Sequence, residues 1–454
     1  MRSKYQASSR HIEQIKIHGL FGRLSYVIPV PPDPVASDDI VILYGDNGCG
    51  KTTLLRLVYR LLSPEPRSGH RTYISSIPFL HLHISFNDGL TIEVYRPDLH
   101  TSNYKIVVRE SQEVASVEYF LVYDSDSEND SADEYCMQLN SLGVQVAMLG
   151  EDRLAAVNSN REGPYIRHRD REGVVLYDHS HRQIEDQSIV ELAIKGASDW
   201  AQRAVIDSFN EGQVSTERIY RDVVQRLVGY SDDGRDLSGN HDDFRALLQN
   251  VSNRLEHVSS SGLMPSKIAH ETVTQAMKAP SSRIATLRGV LEPFVNSLAA
   301  RLDALSQIEN VIWTFTSTLS DFFVDKEVVY DPREGFLILL DSARDGTREL
   351  LSPSLLSSGE RQLLMLFCTV LSQRDSSGII IVDEPEISLN TLWQRRLVDS
   401  LLRCSQGARI QFLFATHSTA ILSQFDLNSK EMRVKEGQDL FGEFDRGEIS
   451  IYDF

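Results

Sequence analysis

The chain has 454 residues, 41% hydrophobic content and a formal net charge of -18, long enough for two or three domains with ample core. That charge opposes diffuse attraction to nucleic acid or an anionic membrane, so any DNA contact would need a local basic surface. No run approaches the roughly 18 apolar residues of a membrane span, Met1 to Gln14 lacks an apolar signal core, and Cys49, Cys136, Cys368 and Cys404 form no C-x-x-C pair, which argues against a zinc site or disulfide framework and predicts a cytoplasmic location.

The first third reads as strands. Ile12, Ile15 and Ile17 lead to a Gly19-Leu20-Phe21-Gly22 turn, and the apolar run Ile40 to Tyr44 predicts a buried strand. Gly45-Asp46-Asn47-Gly48-Cys49-Gly50-Lys51-Thr52 follows, with a helical stretch from Thr53 to Leu62. Strand, glycine-rich loop and helix in that order make a phosphate cradle from backbone N–H groups and a helix N-terminus. Gly45, Asn47, Gly48, Cys49, Gly50, Lys51, Thr52 and Thr53 are therefore the candidate ATP-binding residues, Lys51 at the β and γ phosphates and Thr52 on Mg²⁺.

Leu82, Ile84 and Phe86 alternate with polar residues up to Asn87-Asp88-Gly89, after which Leu90, Ile92 and Val94 resume the pattern, predicting a hairpin. His81 and His83 share one strand face and, with no further ligand near in sequence, read as solvent-facing rather than metal-ligating. The acidic, serine-rich stretch Asp124 to Glu134 reads as a solvated loop without the turn glycine of a calcium site. From about Asn158 the pattern turns helical: Ile219, Val223 and Leu227 recur at i, i+4, i+8, and a longer stripe runs from Leu287 through Leu298, Leu302, Leu305, Ile312, Phe315 and Leu319 to Phe322. Pro293 and the Trp313/Phe315 pair favour a helix packed within its own domain over an intermolecular coiled coil.

Strands return at Phe336 to Leu340. Ser357-Ser358-Gly359-Glu360 precedes the helical stretch Leu363 to Leu371, with Ser357 and Glu360 spaced as a capping box. The helix end, the Ser358 hydroxyl and the bare backbone of Gly359 predict a second anion site, with Glu360 beside it. Gly378 to Val382 is an apolar strand ending in Asp383 and Glu384, the first suited to a Mg²⁺ shell and the second to orienting or deprotonating water. Phe412 to Ala415 is another, ending near His417, about 33 residues beyond Glu384 and able to reach a γ-phosphate. Lys51, Glu384 and His417 are the candidate catalytic residues; Thr52 and Asp383 are the candidate metal ligands.

GDNGCGKT, LSSGERQ, IIIVDEPEISLNTLWQ and FLFATHS, in that order, resemble the ABC-type ATPase superfamily, specifically stand-alone prokaryotic AAA-family ATPases related to SMC, RecF and OLD heads. The resemblance covers the two ends only. It implies an α/β P-loop ATPase head, a mixed sheet with antiparallel N-terminal strands, interrupted by a mainly helical insertion: lobes 1–157 and 326–454 around a lid 158–325. It further implies ATP and Mg²⁺ as cofactors, Ser358-Gly359 as the signature acting in trans in a homodimer or higher oligomer, Ser388-Leu389-Asn390 as the D-loop and His417 as the switch histidine. Asn390 stands where a histidine is common in such proteins. Gln145 is offered for the Q-loop and Arg153 for an arginine segment near the nucleotide. An insert of about 170 residues is too short for a long SMC arm, since even a helical hairpin would reach only ~125 Å.

The same resemblance extends to the ATPase subunits of anti-phage systems such as PARIS, Septu and retrons, implying a sensor or scaffold that controls a separate nuclease, with DNA or a phage protein as trigger and no membrane partner. Two alternatives stand beside it: a RecF-like repair ATPase, for which Arg161, Arg167, His168, Arg169 and Arg171 around Tyr165 form the best basic segment, and an ATP-gated scaffold with negligible turnover.

Overall fold

A computed structural model describes residues 10–30, 40–66, 68–110, 116–121, 130–150, 155–157, 165–170, 173–178, 189–207, 241–260, 273–274, 276–278, 281–341, 348–375, 378–425 and 429–432. Period-two alternation builds an antiparallel sheet from β1 (Ile12–Leu20), β2 (Leu24–Pro29), β4 (His81–Phe86), β5 (Thr91–Tyr95), β6 (Tyr104–Arg109) and β7 (Val117–Leu121), in the order β2-β1-β4-β5-β6-β7. The β4–β5 hairpin turns where Asn87-Asp88-Gly89 predicted, with Ser85 opposite Thr91. One face of this sheet supplies Ile15, Ile17, Leu82, Ile84, Ile92, Val94, Ile106 and Val108 to the core.

The second sheet runs β17-β3-β16-β15-β8-β9: β17 (Ser429–Glu431), β3 (Ile40–Tyr44), β16 (Ile410–Ala415), β15 (Gly378–Asp383), β8 (Gln145–Leu149) and β9 (Ala155–Val157). Every pairing is parallel except β8 with β9. Every residue of β15 and β16 is buried, so these are strands covered on both faces, with the one polar residue inside β16, Gln411, bonding Ile12 N and Ile12 O. Helix α1 (Lys51–Leu62) buries Leu54, Leu55, Leu57, Val58, Leu61 and Leu62, each contributing about 2 kcal/mol of burial. α2 (His70–Ser76) and α3 (Asp130–Leu142) complete the N-terminal part. This is a mixed α/β architecture, an antiparallel sheet and a mostly parallel one that share a core.

Two compact units emerge, Met1–Ala193 with Pro353–Phe454, and Ile194–Ser352. The second contains α4 (His241–Ser260), the 42-residue α5 (Ser281–Phe322) and a small sheet of β12 (Lys326–Asp331), β13 (Gly335–Asp341) and β14 (Arg348–Leu350). The predicted stripe is the buried face of α5: Leu298, Leu302, Leu305, Ile312, Phe315, Leu319 and Phe322 are covered, while Trp313 is exposed. Arg254 pairs with Asp303 at 2.7 Å between α4 and α5, and Phe315 meets Phe336 with ring centroids 4.7 Å apart. Those contacts carry β12–β14 with the helices, so the unit ends at Ser352 rather than at 325.

Other expectations change as well. A hairpin of β10 (Tyr165–Asp170) and β11 (Gly173–Asp178) lies where helix was expected, and helix is described only from residue 189. Asp130 to Glu134, read as loop, opens α3, where Asp130 and Asp133 suit a helix N-terminus. His81 and His83 are half-buried rather than solvent-facing: His81 stacks on Tyr95 with centroids 4.4 Å apart, and His83 Nδ1 lies 2.8 Å from Glu93 Oε1. The Ile219/Val223/Leu227 stripe falls outside the described residues, as does Arg153.

Candidate functional site

The site lies at the carboxyl ends of the parallel strands, where such sheets bind ligands. β3 delivers the chain into the 45–50 loop, and α1 starts from Gly50 with no side-chain cap, leaving the first-turn N–H groups to the loop. Two glycines there are needed for different reasons. Gly45, at φ 154°, would place a Cβ 2.8 Å from the Met432 carbonyl oxygen, and Gly50, at φ 86°, one 2.9 Å from Leu20 Cδ2. Tyr26 donates its hydroxyl to Cys49 O at 2.8 Å, tying the loop to the antiparallel sheet; burial, then Cys49, pushes that phenol up to about 12. Lys51 is only 4% exposed, and its ammonium donates to Gly45 O (2.8 Å) and Asp46 O (3.2 Å), a cation held inside the loop. Asn47 and Gly48 are exposed at the loop tip, Cys49 is buried, and Thr53 is half-buried on the first turn.

The two ends of the chain meet here. Thr52 Oγ1 donates to Asp383 Oδ1 at 3.1 Å across 331 positions of sequence. One residue on, Glu384 adopts φ 51°, a conformation costing a non-glycine residue on the order of 1–3 kcal/mol. A hydrogen bond from Glu384 N to Ala415 O (2.9 Å) holds it and swings the side chain out of the strand's alternation. Burial first, then Glu386 and Asp383, push the Glu384 carboxyl up to about 8, against the pull of Lys51. His417 Nε2 stands 3.4 Å from Glu384 Oε1. A cleft of about 590 Å³ beside these groups is lined by Tyr44, Gly45, Asp46, Cys49, Thr416 and His417, together with Leu422, Glu431 and Met432.

α6 (Ser358–Ser372) begins with the predicted capping box. Glu360 N donates to Ser357 Oγ at 3.3 Å, and Ser357 N donates to Glu360 Oε2 at 2.8 Å. Glu360 is 5% exposed and its carboxylate serves this cap, so it seals its own helix rather than facing the cleft. Gly359 is required for space: a Cβ there would sit 2.6 Å from Ser388 O and 3.3 Å from Trp393 Cζ3. The close approach allowed by this glycine is therefore to the turn after β15. Ser358 and Gly359 do not line the cleft.

Two residues of that turn region escaped the sequence reading. Glu386 Oε1 accepts from His417 N at 2.6 Å, and Gln394 on α7 (Thr391–Ser405) bonds both Leu389 O and the Ser418 hydroxyl. Their signal was present in the second carboxylate of Asp383-Glu384-Pro385-Glu386 and in Trp393-Gln394. Asn390 caps α7, its Oδ1 accepting from Trp393 N at 2.9 Å, a role asparagine fills well. Gln145 is at the wrong end for the Q-loop role: it pairs with Gly378 at the start of β15, about 17 Å along the strand from Asp383. Of the basic segment, Arg167, His168 and Arg169 lie on β10, while Arg161 and Arg171 fall outside the described residues.

The donor set fits Mg²⁺ with ATP. Among the described residues no group of three or more His, Cys, Asp or Glu could hold a metal by itself, whereas Mg²⁺ is commonly held by one or two protein oxygens together with phosphates and water. Thr52 Oγ1 and Asp383 Oδ1, 3.1 Å apart, would be those oxygens. Bound there, the ion would neutralise phosphate charge.

Strand, glycine loop and helix on one side and the Asp383-Glu384 strand end on the other thus face each other at one end of the parallel sheet. Residues 339–423 match the family model described as "AAA domain, putative AbiEii toxin, Type IV TA system". The chain is 21% identical over 396 residues to the "Retron Ec83 probable ATPase" of Escherichia coli, the match covering 85% of this chain and 65% of that protein, so just under two thirds of the relative's length is represented. Among solved structures it is similar to the Smc head domain with an extended coiled coil bound to the C-terminal domain of ScpA from Pyrococcus furiosus (TM-score 0.43, 12% identity, 94% of each chain). It is also similar to the SmcHead bound to the C-winged helix domain of ScpA (TM-score 0.37, 11% identity, 91% of this chain and 92% of that one). No described helix is long and apolar enough to cross a membrane.

Proposed function

We propose that the chain is an ATP-hydrolysing sensor or scaffold subunit of a prokaryotic antiviral system, in which two copies close around ATP and control a separate nuclease. The observation that carries the ATPase reading is the meeting of Lys51 and Thr52 with Asp383, Glu384 and His417 at one end of the parallel sheet. In this reading the loop N–H groups and Lys51 bind the phosphates. Thr52 and Asp383 would hold Mg²⁺, and Glu384, in its ionised form, takes a proton from the attacking water beside His417. Ser358 and Gly359 serve the nucleotide of the partner copy. The role in defence is supported by the motif resemblance and by the likeness to a retron ATPase.

Steady-state phosphate release in Mg-ATP tests the chemistry. Glu384→Gln should lower turnover about 10²- to 10⁴-fold with ATP binding retained; a wild-type protein that binds ATP and releases no phosphate overturns it. Cleavage of DNA or RNA by the purified protein alone would sink the partner-dependent part.

A further inference from the structure

The turn after β15 is held from three directions. From α6, Gln362 Nε2 donates to Pro385 O at 3.3 Å, and Gly359 lies so close to Ser388 O that no side chain fits between. From α7, Gln394 Nε2 donates to Leu389 O at 2.9 Å, with Glu386 O also within 3.5 Å. From the segment after β16, His417 N donates to Glu386 Oε1 at 2.6 Å. The amide of Gln394 is used at both ends: its Oε1 accepts the Ser418 hydroxyl at 2.7 Å, and that same hydroxyl accepts from Ile421 N at 3.3 Å to cap α8 (Thr419–Leu422). One half-buried side chain thus joins the turn carrying Ser388 to the segment carrying His417. His417 is in turn 3.4 Å from Glu384.

Resting on the ATPase reading above, we propose that Gln394 is a positioning residue that locks the His417 segment to the 384–390 turn, so that a displacement at the N-terminus of α6 reaches His417 and Glu384 as one motion. A glutamine suits this task because its amide donates and accepts along one plane, where a carboxylate would face the Leu389 carbonyl with no proton. Glu384 and Ser388 both hold positive φ, at 51° and 65°, so the turn is bent at each end of the stretch that Gln394 braces. Gln394 touches no reacting atom in this scheme. It acts through the placement of His417.

The test is kinetic. Gln394→Leu, Ser418→Ala and the double variant are compared with wild type and Glu384→Gln for kcat, KM and direct ATP binding. Each single change should lower kcat roughly ten- to a hundredfold, the scale of a small misplacement of a reacting group, with ATP affinity within twofold of wild type. The double variant should fall no further than the worse single one. A Gln394→Leu kcat within twofold of wild type, losses that multiply, or ATP binding that weakens in step with kcat would each overturn the inference. If Gln394→Leu does not fold, Ser418→Ala alone is read by the first and third criteria. A wild type that binds ATP without turnover defeats the ATPase reading instead. Amide hydrogen exchange over 416–422 then decides the latch: protection on nucleotide binding lost in Ser418→Ala supports it, and protection retained overturns it.

Discussion

Two helices of the same compact unit, α1 and α6, begin in opposite ways. α1 begins at Gly50 with no side chain on its N–H groups and a buried lysine folded over the loop carbonyls. α6 begins at Ser357 with both partners of a capping box in place and Glu360 buried beneath it. A motif at a helix start is therefore not by itself an anion site. What separates the two ends is whether the orphan donors already have partners within the chain. The first end leaves its donors open, as a phosphate site requires; the second is closed at its third residue by its own cap.

The largest effect that would break this contrast is at Lys51. Charge-assisted hydrogen bonds are worth about 1.5–3 kcal/mol, so Lys51→Ala should weaken ATP binding about 10- to 100-fold by titration calorimetry while leaving the melting temperature little changed. Equal affinity would mean that the uncapped end is not the phosphate cradle. Gly359→Ala should act mainly on the fold, because its Cβ meets backbone rather than a flexible side chain: about 1–3 kcal/mol lost in urea unfolding, together with lower turnover. Ser357→Ala should cost about 1 kcal/mol as a lost cap, with ATP affinity of the isolated subunit unchanged. A tenfold loss of affinity there would make the second end an anion site within one chain.

Acidification should leave the contrast between the helix ends intact while weakening the whole lobe through the polar side of the antiparallel sheet. Burial holds His81 down to about 4 against the attraction of Glu93. Below the ordinary histidine range the unfolded chain takes up a proton that the folded chain refuses, so stability falls as pH drops from 6.5 to 4. For Glu93, burial alone would raise the carboxyl, but the hydrogen bond and charge of His83 and the charge of Arg109 outweigh it and bring the group to about 2. Its stabilisation is full above 4.5 and is lost as pH falls from 4.5 towards 2. His81→Phe, which keeps a ring on Tyr95, should reduce the upper part of the acid loss, which His70, also held down to about 4 by burial, shares, and Glu93→Gln should remove the lower part, in urea midpoints measured against pH. Glu384, raised to about 8, gives the opposite slope as pH falls to 4.5, so the decisive quantity is the difference between wild type and His81→Phe, and a difference that stays flat from pH 7 to 4 contradicts this.

The residues that sequence reading located best are those whose chemistry is local. Gly45 to Gly50 must make a loop at a strand end whatever surrounds it, and the all-apolar Gly378 to Val382 could only be a covered strand. Ser357 and Glu360 make their cap within a single turn. The residues it misplaced depend on what another part of the chain brings. Histidines at 81 and 83 look solvent-facing until Glu93 and Tyr95 are placed opposite them by the next strand. Gln145 looks close to the site in sequence, but it stands at the far end of β8. The function of Gly359 needed Ser388, and that of Gln394 needed Ser418, neither adjacent in sequence.

The position of β3 has a consequence for synthesis. Its two neighbours, β16 and β17, both come from beyond residue 409, so as the chain leaves the ribosome the strand that bears the phosphate loop has neither edge covered until those residues, more than 360 positions later, have emerged. Throughout that interval an apolar strand with open edges is exposed to pairing with other nascent chains. ATP cannot assist until Asp383 has reached Thr52. Yield in the cell should depend more on how quickly the C-terminal strands are delivered than on the strength of the finished core.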